Sequence, residues 1–140
     1  MKADWKDLGC IAEAARTLGL EFVHGQKTYD WYGRKVGNDP LPEGFTVEDL
    51  GKCDHAIRIP GNERSYEIGV AERRDGQPGY TLLWDNWNGG YGLTDKVGQN
   101  GERLVQEYGV QVATKHVMME GYIVSREVFA DGHVILKAVQ

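Results

Sequence analysis

Apolar residues recur along this chain with two different periods, and each change of period marks a change of element. In DLGCIAEAARTLGLEF, residues Leu8, Ile11, Ala15 and Leu18 fall at three- and four-residue steps, which predicts a half-buried helix. Asp7 is placed to accept from the free amides of the first turn, and Asp4 could do the same one turn earlier. Gly19 closes the helix, since glycine enters the left-handed region without a Cβ penalty. The period then shortens to two in LEFVHG, a strand.

The aromatic stretch KTYDWYGRKV is predicted as a second strand, paired with the first. Pro40 and Pro42 then rule out a central strand, and Gly37 to Asp54 reads as a long irregular region with a helical turn at Val47–Leu50. HAIRIPG is the next strand. SYEIGVAE and GYTLLWDNW form a hairpin across RRDGQPG, where Asp75-Gly76 and Pro78-Gly79 supply turn chemistry. Alternation puts Tyr66, Ile68 and Val70 on one face and Glu67, Gly69 and Ala71 on the other. A glycine inside such a strand predicts a bulky neighbour lying against its backbone.

A longer helix is predicted from about Asn100 to Met119, with Leu104, Val105, Tyr108, Val112, Val117 and Met119 as its apolar side and Gly121 as its end. Gly109 at its middle costs about 1 kcal/mol relative to alanine, and a close approach to the sheet would account for it. YIVSREVF and HVILKAV, joined at Asp131-Gly132, make a final hairpin. The order of elements predicts one α+β domain: a mainly antiparallel sheet with two helices packed on one face.

Composition narrows the function more than the fold. Sixteen basic against twenty-one acidic residues give a net charge of −5, which argues against a broad phosphate-binding surface. Two cysteines, Cys10 and Cys53, form no metal-ligand spacing and read as free thiols of a reducing compartment. MKADWKDLGC lacks the apolar run of a signal peptide, and no stretch approaches the roughly 18 apolar residues of a membrane span. A soluble, cytoplasmic protein is expected.

Taken together, DLGCIAEAARTLGL, YDWYGRKV, HAIRIPGNERSYEIGV, YTLLWDNW, LVQEYGV, EGYIVSREV and ADGHVIL resemble, in the same order, landmarks of the Ycf-thirty-five-like family of plastids, cyanobacteria, other bacteria and phages. That family is also known as domain of unknown function twelve fifty-seven. The resemblance implies a strand before the first helix, for which only Met1 to Lys6 is available. It carries no catalytic residues. Some relatives are encoded beside an AAA-type ATPase, which implies an accessory or adaptor role.

The chemistry-bearing residues suggest no reaction. His24, His55, His116 and His133 are scattered; Cys53 and His55 would share a strand face, with His24 brought beside them by pairing, but no metal is expected. Ser65 and Ser125 lie in strand contexts without a nucleophile elbow. NGGYG and VGQNGERL lack the lysine and spacing of a phosphate loop, although a helix N-terminus follows Gly98–Gly101. The binding candidates are aromatic: Tyr29, Trp31 and Tyr32 with Arg34 and Lys35, and Trp84, Trp87 and Tyr91 around the glycine turn. Trp84 and Trp87 would point to opposite faces of a strand, one of them serving the core. The expected function is therefore a non-catalytic interaction or accessory module with no cofactor, binding a protein partner or a second copy of itself. The alternative is a small-molecule or single-stranded nucleic-acid binder using the aromatic strand and its basic neighbours.

Overall fold

Helix α1 (Leu8–Thr17) starts where Asp7 turns its carboxylate back along the chain, Oδ1 accepting from the Cys10 amide at 3.1 Å. Oδ2 of the same residue meets Lys115 Nζ at 2.5 Å, so one side chain caps a helix and ties it to another element. The computed structural model describes residues 3–33, 41–85, 87–132 and 134–139, and of Trp87 the backbone alone.

Four strands form one antiparallel sheet in chain order: β1 (Glu21–His24), β2 (His55–Arg58), β3 (Ile68–Glu72) and β4 (Tyr80–Leu83). Two helices follow, the short α2 (Leu93–Val97) and α3 (Glu102–Met119). The chain then forms a separate hairpin of β5 (Ile123–Val128) and β6 (Val134–Val139). The α+β class and the helical cover on one face are as the sequence predicts. The terminal hairpin stands apart from the main sheet, and α2 was missed although Leu93 and Val97 stand four residues apart.

The helical face of the sheet carries Ile57, Ile68, Val70 and Leu82. They pack against Ile11 and Ala15 of α1, Leu93 and Val97 of α2, and Leu104 and Tyr108 of α3. Tyr108 also fixes the chain ahead of α1. Its hydroxyl accepts from the amides of Lys6 (2.9 Å) and Asp7 (3.1 Å) and donates to the Asp4 carbonyl (3.2 Å). Among the described residues the strand implied before α1 is reduced to a single antiparallel bridge between Trp5 and Tyr80 at the outer edge of β4.

The other face is not open to solvent. Ala56, Ala71 and Leu83 lie beneath Tyr29, Phe45 and Cys53, with Trp31 and Leu41 packed alongside. These covering residues come from irregular chain. A short helical turn, Val47–Asp49, is held by a capping box in which the Thr46 amide donates to Asp49 Oδ2 at 2.7 Å. The Arg74 guanidinium reaches Asp49 Oδ2 at 2.8 Å and lies 4.4 Å from the Phe45 ring centroid.

The predicted aromatic strand is corrected by this arrangement. Among its described residues only Thr28 makes a ladder contact, an isolated bridge to Lys52, and β1 pairs with β2 instead. Strand-forming aromatics and face-covering aromatics have the same composition; here the rings are spent on covering a sheet face. Gly69 confirms the expectation of a close neighbour, since a Cβ there would lie 2.4 Å from Tyr29 Cδ1 and 2.6 Å from Cε1.

Gly109 does the opposite. It is exposed, and a Cβ there meets nothing within 4 Å, so close packing is not why it stands in α3. Replacing it with alanine is expected to stabilise the protein by about 0.5–1 kcal/mol, because alanine loses less backbone entropy in a helix. Urea denaturation of Gly109→Ala checks this; an unchanged or lower midpoint would contradict it.

Candidate functional site

The aromatic candidates do not form one platform. Tyr29 is buried on the irregularly covered face, and burial pushes its hydroxyl pKa up. Trp31 is half-buried on the same side, with its indole nitrogen over Gly51. Trp84 packs against the helical core on the opposite face. Arg34 and Lys35 lie outside the described residues, as does the Trp87 side chain.

Tyr32 and Tyr91 each lie near Tyr66 at one corner. The Tyr32 amide donates to Asp85 Oδ2 at 3.2 Å, and the Tyr91 ring stands edge-on to Tyr66 at 5.1 Å between centroids. Burial first, then the proximity of Tyr91 and Asp85, pushes the Tyr66 hydroxyl pKa up. That hydroxyl therefore stays protonated at neutral pH and is available as a hydrogen-bond donor.

This corner is built on an unusual turn. Asn88, Gly89, Gly90 and Tyr91 all have φ between 52° and 67°, a run wound in the left-handed sense. L-residues avoid that region, and asparagine tolerates it better than tyrosine. Carbonyl pairing holds the turn in place. The Tyr66 amide donates to the Gly90 carbonyl at 2.9 Å, and Thr94 Oγ1 donates to the Gly89 carbonyl at 3.2 Å. Buried Ser65 also directs its hydroxyl at the Gly90 carbonyl, at 3.3 Å. Its role is structural.

The remaining chemical candidates are also placed. His24 and His55 are register partners with ring centroids 5.5 Å apart, as pairing implied. His55 Nδ1 accepts from the Gly25 amide at 3.0 Å, and burial, then His24, holds its pKa below the usual histidine range. Cys53 does not join them. It belongs to the other face, donates its thiol to the Gln26 carbonyl at 3.1 Å, and is pushed up to about 11 by burial. Among the described residues no three histidine, cysteine or acidic side chains are grouped to hold a metal ion. At the start of α3 the Glu102 carboxylate accepts from the Asn100 amide at 2.9 Å and fills the space beside Gly98. A phosphate there would compete with the chain's own acid.

Comparison with family models, curated proteins and solved structures finds no match.

The feature that sequence reasoning missed lies at the far end of α3. Eighteen residues span about 27 Å at 1.5 Å per residue, whereas the three spacings of a four-stranded sheet cover only about 14 Å. The helix overhangs. Val112 and Met119, assigned by periodicity to the apolar side, are 39% and 78% exposed, and Met118 is 58% exposed.

Beyond them, β5 and β6 pack one face towards α3. Arg126 reaches buried Glu107 through two bonds of 2.6 Å, while Gln111 donates to the same carboxylate at 3.1 Å. Burial alone would raise the Glu107 pKa; the guanidinium and the amide outweigh it and hold it low. The outer face presents Ile123 and Val139 as cross-strand partners, with Ile135 beyond. The sequence does carry a signal for this: Ile123-Val124 and Ile135-Leu136 are apolar at both parities, so one buried face cannot take them all. A groove of about 610 Å³ also runs between α1 and the end of α3, floored by Gly9, Cys10 and Ala12 and walled by Met118 and Met119. No helix among the described residues is long and apolar enough to cross a membrane.

Proposed function

We propose that this chain is a small non-catalytic interaction module and that the terminal hairpin with the overhanging end of α3 is its docking element. One observation carries the reading. Of the ten exposed large hydrophobic residues among those described, seven lie between Met118 and Val139, where exposure is costly unless a partner covers them. The partner is a protein, either a second copy or an ATPase of the AAA type that the family resemblance implies. Nothing among the described residues favours a platform for single-stranded nucleic acid, since Tyr29 is buried and Trp31 and Trp84 lie on opposite faces.

Site-specific photo-crosslinking tests this. A benzophenone side chain in place of Ile123 is expected to give discrete covalent protein adducts in an extract of the native host. The same probe at Val47, which is also exposed but lies remote in the fold, is expected to give none. Equal labelling at both positions, or none at either, would remove the proposal.

A further inference from the structure

We infer that β6 is a self-pairing edge, and that two copies of the chain join β6 to β6 in antiparallel fashion to make a four-stranded sheet. This rests on the reading of the hairpin as the docking element and concerns only its β6 edge, where Ile135 is exposed. The hairpin is backed on one face by α3, and the described residues add no third strand to it, so the β6 edge has no strand partner among them. A second hairpin pairs that edge.

The choice of edge follows from composition and from one ion pair. β5 carries Arg126 and Glu127 within its strand, whereas β6 reads Val-Ile-Leu-Lys-Ala-Val with Lys137 as its single charge. Edge lysines ordinarily discourage pairing. Here Lys137 Nζ leans towards Glu127 Oε2 of β5, 3.8 Å away, and so points across its own hairpin instead of over the edge. The edge is left unguarded.

Charge also selects the register. Directly opposed residues of antiparallel strands share a face, so a two-fold axis through the sheet must pass a residue of β6. An axis at Lys137 sets two lysines opposite one another, which is destabilising. An axis at Ile135 pairs only residues 134–136 of the strand. An axis at Leu136 pairs residues 134–138. It opposes Leu136 to its own copy, Val134 to Ala138, and Ile135 to Lys137, with no like charges in contact. Both α3 helices then lie on one face of the joined sheet, matching the layer arrangement of the main domain.

Ile135→Lys separates the two states. In the single chain residue 135 stands opposite Glu127, so a lysine there meets an acid and the hairpin is kept. In the joined sheet the same lysine meets Lys137 of the second copy, twice over. Sedimentation velocity of the full chain at concentrations up to about 100 μM is expected to show a dimer, weakened about tenfold or more by Ile135→Lys. Adding Lys137→Glu to that variant is expected to restore it. A dimer indifferent to Ile135→Lys overturns the β6 pairing. A wild-type monomer overturns self-association but leaves the docking reading standing if Ile123 still crosslinks to a protein. Loss of both results removes both.

Discussion

Replacing Arg126 with alanine is expected to destabilise the protein by about 2–4 kcal/mol, because it strands a buried carboxylate without its counter-ion. Glu107 lies in the interior of the α3–hairpin contact, and the guanidinium satisfies both of its oxygens. The sign of the pH dependence distinguishes this from simple loss of packing. In the native chain the folded pKa of Glu107 is depressed. Its contribution is therefore present above the ordinary carboxylate range and is lost as pH falls through the lower folded value. In Arg126→Ala, burial is less opposed and the folded pKa rises. That group then contributes most at low pH and loses its contribution as pH rises. Between about pH 4 and 6 the stability difference between native chain and variant should grow with pH. Urea midpoints measured across that range check it, and parallel profiles would show that the ion pair is not what anchors the hairpin. Hydrogen exchange should localise the loss to residues 123–139.

Replacing Gly69 with alanine is expected to cost about 3 kcal/mol, at the upper end of overpacking, because the obstruction is a buried ring and not a flexible chain end. The added methyl would sit 2.4 Å from Tyr29 Cδ1, and Tyr29 is only 4% exposed. A double-mutant cycle makes the claim specific. Tyr29→Ala alone leaves a cavity and should cost about 3–5 kcal/mol. Once the ring is absent the clash is gone, so the double variant should be more stable than the sum of the single losses predicts. Strict additivity in denaturant midpoints would show that Gly69 serves some other need.

These effects bear on what could be read in advance. Asp7 as a cap, Gly19 as a stop and the two hairpins were legible because each depends on neighbours within a few positions. Gly69 was legible for a related reason: an interior strand glycine has no local use, so its use must be a neighbour. The aromatic stretch failed because tyrosine and tryptophan favour a ladder and a face-covering segment alike, and the choice depends on β2 taking the place beside β1. The overhang of α3 failed because its stripe says which side is apolar, not how far the supporting sheet extends. Of the candidate binding residues, Tyr32 and Tyr91 lie near Tyr66 at one corner. Tyr29 is buried in the irregular cover, and Ile123, Ile135 and Val139 were passed over as ordinary strand residues.

The two differently built covers of the sheet leave the chain with a pair of built-in reporters. Cys10 belongs to α1 and Cys53 to the irregular cover, each buried in its own cluster. Both thiols are nearly closed off from solvent, so a reagent reaches each one faster when the layer that carries it loosens. The ratio of the two labelling rates would thus rank the layers by how readily each peels away, without introducing any foreign label.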